Sequence, residues 1–187
     1  MERKTKSESR IITIPNILSA FRICLIPVIV WLYLAEQQYR YAGYVLILSA
    51  ATDIVDGYIA RHYHMISTLG KILDPVADKL TQGAVLICLM FRFPLVLMPL
   101  TLLVVEEIFI GICGYFVIRK TGCVYGADWH GKAATCFIFG VIALHVFWPQ
   151  ITPVVSTVSI IACTIVIAIS FLLYGIRNVK LLKHGEK

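Results

Sequence analysis

The sequence predicts an all-α integral membrane protein with six transmembrane helices. Of its 187 residues 59% are hydrophobic and only 15% are charged, a balance too apolar for an ordinary soluble domain. The apolar residues also gather in successive runs of about 20, the length a helix needs to cross a hydrocarbon core. The runs are Ile14 to Ala35, Tyr41 to Ala60, Lys71 to Phe91, Pro94 to Ile118, Gly131 to Trp148 and Ile151 to Tyr174. A polar stretch, Met1 to Arg10, precedes the first run, and with no small-residue cleavage pattern after it no removed signal peptide is expected. Residues 1–13 read as a cytoplasmic or interfacial tail that mixes basic and apolar side chains before Pro15 and Asn16 open the first span. Residues 175–187 read as a second cytoplasmic tail. No long linker, fixed-period repeat or low-complexity segment interrupts the chain, so 1–187 is expected to form a single domain.

Six spans put both termini on one side of the membrane. That side collects Arg3, Lys4, Lys6, Arg10, Arg61, Lys71, Arg119, Lys120, Lys132, Arg177, Lys180, Lys183 and Lys187, against Arg40 and Arg92 on the other. The excess marks it as cytoplasmic. The net charge of +6 therefore gathers at the ends of apolar segments, where anionic lipid headgroups, not nucleic acid, are the expected partner. The six cysteines, Cys24, Cys88, Cys113, Cys123, Cys136 and Cys163, show no paired short spacing. They predict packing residues, with no zinc or disulfide framework. Trp31, Tyr33 and Trp148, near span ends, read as interface anchors.

Chemistry concentrates in the second and third spans. Thr52-Asp-Ile-Val-Asp-Gly-Tyr-Ile-Ala-Arg61 is followed by Gly70-Lys-Ile-Leu-Asp-Pro-Val-Ala-Asp-Lys79. An aspartate at a membrane helix centre costs roughly 2.5 to 3.5 kcal/mol, so carboxylates there are expected to be paired, hydrated or metal-bound. Asp53 and Asp56 are three apart, and Asp74 and Asp78 four apart, so each pair projects from one helix face. One pair ends its helix on the cytoplasmic side and the other begins its helix there, so a helical hairpin brings both to one level. Four negative charges so placed need cations, and a ligand set of oxygen alone predicts Mg²⁺ or Mn²⁺, with room for two ions to clamp a phosphoryl displacement. The substrate should then carry a diphosphate. Gly57 and Ala60 are small enough to admit a ligand or a neighbouring helix beside Asp56, and Arg61 has a fork suited to phosphate oxygens.

Asp53-x2-Asp56-Gly57-x2-Ala60-Arg61-x8-Gly70-x3-Asp74-x3-Asp78 resembles the complete signature of the CDP-alcohol phosphatidyltransferases. The resemblance implies that Asp53, Asp56 and Asp74 hold the metals, and that Asp78 contacts metal and serves as general base. It further implies that Asp53, Gly57, Ala60 and Arg61 meet the CDP-lipid, that Asn16 and Arg22 in the first span meet its nucleotide, and that the protein is a homodimer; read from the residues alone, Asn16 and Arg22 could equally settle among backbone carbonyls and the acidic cluster. Within the family, Thr13-Ile-Pro-Asn-Ile-Leu-Ser-Ala-Phe-Arg22 is similar to the first helix of phosphatidylglycerophosphate synthases. Thr68-Leu-Gly-Lys-Ile-Leu-Asp-Pro-Val-Ala-Asp-Lys-Leu80 is similar to those enzymes and to CMP-forming cardiolipin synthases. The implied donor is CDP-diacylglycerol. Arg119 and Gly131-Lys132-x2-Thr135 resemble positions that hold the acceptor's phosphate, which suits glycerol 3-phosphate. One departure stands out: Glu106-Glu107 occurs where phosphatidylglycerophosphate synthases usually carry an Arg-Glu pair.

The expected activity is thus transfer of a phosphatidyl group from CDP-diacylglycerol to glycerol 3-phosphate at a cytoplasm-facing site in a multi-pass membrane enzyme. The alternatives are a cardiolipin synthase that takes phosphatidylglycerol as acceptor, and a small cation transporter whose carboxylates bind ions in transit. Transport alone does not account for Gly57, Ala60 and Arg61. Lys79 is expected to snorkel or pair away from Asp78, and His62, His64 and the Asp128-Trp129-His130 cluster are expected in loops.

Overall fold

The computed structural model describes residues 13–63, 70–121 and 129–184. Among these the regular elements are all helical: α1 Ile14–Val30, α2 Tyr39–His62, α3 Gly70–Met90, α4 Leu97–Thr121, α5 Trp129–Phe147 and α6 Pro153–His184. A π-helical turn, Trp31–Ala35, prolongs α1, and a 3₁₀ turn, Pro94–Val96, leads into α4. Each apolar run of the sequence corresponds to one helix. Four stretches are long and apolar enough to cross a membrane: Ile14–Ala35, Tyr39–Ile59, Pro94–Val117 and Pro153–Asn178. The remaining two runs form α3, whose first turns carry Asp74, Asp78 and Lys79, and the shorter apolar stretch Gly131–Phe147 in α5.

The ends of the elements differ from the sequence reading in three places. Helix α6 continues past Tyr174 to His184, because a run of Val, Lys and Leu propagates helical hydrogen bonds after the apolar stretch ends. His62 closes α2 and Trp129 opens α5; neither is a loop residue. His64, Cys123, Asp128 and the tail residues 1–12 lie outside the described residues.

The chain divides into two compact units, residues 1–88 and 89–187. In the first, α1 starts at Thr13, whose side chain accepts from the Asn16 amide at 3.4 Å, with Pro15 in the first turn where its missing N–H goes unneeded. The chain reverses after Ala35 through Gln37, which adopts a left-handed φ of 53°, and α2 packs back along α1. Tyr33, expected as an interface anchor, is instead buried and meets the Tyr39 ring edge-on at 4.9 Å. Trp31 and Trp148 are exposed.

In the second unit α6 packs against both α4 and α5. Its core includes Leu103, Ile138, Ile142, Ile160 and Ile167. A Cβ built on Gly131 would sit 3.0 Å from two ring carbons of Tyr174 and closer still to its hydroxyl, so glycine is what lets α5 approach α6 at this point. Exposed apolar side chains line the helices of both units, among them Ile17, Ile47, Ile54, Ile108, Ile165 and Leu172. In water such a surface drives association, whereas in a bilayer it is the lipid contact. Cys24, Cys88, Cys113, Cys136 and Cys163 are free thiols.

Candidate active site

Asn16, Ser19 and Arg22 recur every third residue of α1 and so share one face, and all three are buried. Arg22, only 2% exposed, directs its fork at α2: one nitrogen contacts Asp53 Oδ1 and the other donates to Asp56 Oδ2 at 3.1 Å. Asp56 is equally buried, while the Asp53 side chain is 46% exposed. A charge buried like that of Asp56 is costly without a partner, and Arg22 supplies the partner.

One turn earlier, the Ser19 hydroxyl lies 3.0 Å from the Pro15 carbonyl, 3.5 Å from Asp56 Oδ2 and in contact with Asp74 Oδ1. A hydroxyl has one proton to donate, and the Asp74 oxygen is the nearest of the three acceptors. Carboxylates from the end of α2 and the start of α3 thus meet at two side chains of α1. Asp78 follows Asp74 by one helical turn and is half-buried, as is Gly57 beside Asp56. Ala60 and Arg61 belong to α2, but their side chains lie outside those described.

Among the described residues, no three His, Cys, Asp or Glu side chains lie close enough together to hold one metal ion. In chemical kind the set nonetheless fits a hard divalent cation. Asp53, Asp56 and Asp74 are oxygen donors that already converge on Ser19 and on a cationic group, Arg22.

The residues proposed for the acceptor phosphate fall in the other unit. Arg119 is exposed near the C-terminal end of α4, and Lys132 is exposed in the first turn of α5. The half-buried Thr135 donates its hydroxyl to the Gly131 carbonyl at 3.0 Å. Glu106 is buried, and Ser170 of α6 donates to its Oε1 at 2.9 Å. The residue that departs from the expected arginine therefore faces α6.

Two side chains escaped the sequence reading. Ser19 was signalled by its place between Asn16 and Arg22 in a polar stripe of period three. Gln82 continues the series Asp74, Asp78 at a spacing of four. It is fully buried, and neither its amide nitrogen nor its oxygen has a hydrogen-bond partner among the described residues.

Comparison with known proteins places this arrangement. The family model described as CDP-alcohol phosphatidyltransferase matches residues 12–174, a range that includes every residue of the candidate site. A CDP-diacylglycerol–glycerol-3-phosphate 3-phosphatidyltransferase of Rickettsia bellii is 41% identical over 96 residues, covering 50% of this chain and 53% of that protein. A CMP-forming cardiolipin synthase of Streptomyces coelicolor is 38% identical over 133 residues, covering 67% of this chain and 61% of that protein. A CMP-forming cardiolipin synthase of Homo sapiens is 37% identical over 108 residues, covering 57% of this chain and 35% of that protein. The chain thus spans about half the length of the first of these relatives. With the family model covering most of the sequence, and Asp53, Asp56 and Asp74 of α2 and α3 meeting Ser19 and Arg22 of α1, the chain belongs to the CDP-alcohol phosphatidyltransferase family.

Proposed function

We propose that the protein transfers the phosphatidyl group of CDP-diacylglycerol to glycerol 3-phosphate, forming phosphatidylglycerophosphate and releasing CMP. The meeting of Asp53, Asp56 and Asp74 around Ser19 and Arg22 carries this reading. Two Mg²⁺ or Mn²⁺ ions held by Asp53, Asp56, Asp74 and Asp78 would neutralise the diphosphate and the charge that develops on it. Asp78 takes the proton of the acceptor hydroxyl, whose oxygen then bonds to the β-phosphorus of the donor. The bond from that phosphorus to the bridging oxygen breaks, and CMP leaves with the electron pair. Arg61 stabilises the phosphate charge, while Gly57 and Ala60 leave room for the nucleotide, bordered from α1 by Asn16 and Arg22. Arg119, Lys132 and Thr135 hold the acceptor's phosphate. The protein works as a homodimer of six-span subunits with the site and both termini on the cytoplasmic side, a topology supported by the distribution of Lys and Arg.

The test is to supply purified protein with CDP-diacylglycerol and a panel of alcohols, among them glycerol 3-phosphate, inositol phosphate, serine and phosphatidylglycerol, and to identify the lipid product. Phosphatidylglycerophosphate is the expected product. In the same assay Asp78→Asn should bind the CDP-lipid without releasing CMP, and normal turnover in that variant removes Asp78 as the base.

A second reading, a cardiolipin synthase with phosphatidylglycerol as acceptor, is favoured by Glu106, an acid where an acceptor-phosphate cation was expected. Cardiolipin formation in the panel would establish it. Metal binding without any CMP release would favour a cation transporter instead.

A further inference from the structure

The unit formed by residues 89–187 contains a cavity of about 300 Å³ at the start of α4 and α6, lined by Arg92, Phe93, Pro94, Ser156, Thr157 and Ile160 among others. Pro94 and Pro153 each begin one of the four stretches long and apolar enough to cross a membrane, so the cavity lies at the ends of both, which for a helix that spans a bilayer is the headgroup level. Arg92 is exposed; its guanidinium donates to the Pro149 carbonyl at 2.8 Å and lies 5.8 Å from the Phe93 ring centre. These contacts keep a cation at the cavity's edge.

Ser156 of the lining is held by His145, which is 1% exposed. Its Nδ1 lies 2.8 Å from the Val141 carbonyl and its Nε2 lies 3.0 Å from Ser156 Oγ, with Phe93 edge-on at 4.8 Å. A carbonyl can only accept, so in the neutral ring the proton sits on Nδ1, and Nε2 must accept from Ser156. That spends the one proton of Ser156. The buried Ser156 oxygen can then offer the cavity lone pairs alone, and its complement is a ligand group that donates.

We propose that this cavity is a lipid-binding site for an anionic phospholipid with a hydroxylated headgroup, phosphatidylglycerol being the probe of that chemistry. The phosphate meets Arg92, a headgroup hydroxyl donates to Ser156, and the hydrocarbon next to the ester region rests on Phe93, Pro94 and Ile160. A volume of about 300 Å³ takes a headgroup and leaves the acyl chains to the exposed apolar flank of α6, where Val154, Val158 and Ile161 face outward. The proposal does not rest on the reading of the aspartates.

Native mass spectrometry of the detergent-purified protein tests it, with phosphatidylglycerol and phosphatidylcholine of matched chains. The wild type should prefer phosphatidylglycerol by roughly five- to tenfold, because the choline cation of phosphatidylcholine offsets its phosphate beside Arg92 and has no hydroxyl to donate to Ser156. Arg92→Gln, at an exposed position, should keep lipid but lose the preference. Thr157→Trp, which fills the cavity, should lose the bound lipid of both kinds. Inorganic phosphate should not displace the lipid, and CMP release from CDP-diacylglycerol should be unchanged in both variants. The proposal is overturned by an undiminished preference in Arg92→Gln, by full occupancy in a folded Thr157→Trp, by displacement with phosphate, or by a wild type without preference. If Thr157→Trp fails to fold, Arg92→Gln decides alone. A wild type that binds lipid here yet releases no CMP counts against the proposed transferase and leaves this site standing.

Discussion

Arg22 is the residue on which the candidate site turns. It sits among apolar neighbours in α1 and reaches two aspartates of α2, one of them as buried as itself. Removing one partner of such a pair leaves the other charge uncompensated, a loss of about 3 to 5 kcal/mol. Arg22→Gln should therefore lower thermal stability in detergent sharply, while Arg22→Lys, which keeps the charge and loses the fork, should lower it less. Added Mg²⁺ should restore more of the loss in Arg22→Gln than it adds to the wild type; equal shifts would argue against a cation site at Asp53 and Asp56. Gln82 presents the opposite case. Its buried amide has no hydrogen-bond partner among the described residues, and an unmade buried hydrogen bond costs about 1 to 3 kcal/mol. Gln82→Leu should raise the melting temperature, and a fall would show that the amide is engaged. The arginine was visible in the sequence as a charge inside an apolar run. Pairing with the acidic cluster was one of two readings open for it; that Asp53 and Asp56 are the partners was not legible, because they lie more than thirty positions away and only packing chooses among possible neighbours.

At the scale of elements, apolar run length located all six helices, since a continuous apolar stretch buries or faces lipid best as a helix with its backbone bonds made internally. It located their ends less well. Hydropathy stops where side chains become polar, but helical hydrogen bonding continues into α6 as far as His184. The contact of α5 with α6 depends on Gly131, where a methyl group would meet the buried Tyr174 ring. Gly131→Ala should cost about 1 to 3 kcal/mol through forced displacement of that ring, measurable as a lower melting temperature. Gly131→Ala with Tyr174→Phe should recover part of the loss, because the hydroxyl is the nearest atom to the built methyl. The sequence reading assigned Gly131 to an acceptor-phosphate segment; the structure adds a packing reason for the same residue.

For the whole molecule, the question that charge counting answers best is orientation. With thirteen Lys and Arg assigned to one side and two to the other, protease-cleavable tags at the two termini should both be cut from the cytoplasmic side in oriented vesicles. Cutting from opposite sides would rule out an even number of spans. Four stretches meet the length and hydropathy of a span outright. The other two helices fall short for different reasons: α3 carries Asp74, Asp78 and Lys79 in its first turns, and the apolar stretch of α5, Gly131–Phe147, is shorter.

The sequence by itself determined the helical fold class, the family and the aspartates, because apolar run length and a fixed motif spacing are local properties of the chain. Tertiary structure decided what those aspartates touch. Ser19 became part of the site, and Arg22 gained its carboxylate partners, only when α1 packed against α2 and met Asp74 of α3. Glu106 was turned to Ser170, and Ser156 to His145, by the packing of α6. Spacing along one helix says which residues share a face; which face meets another is settled by how side chains of distant segments fill the space between them.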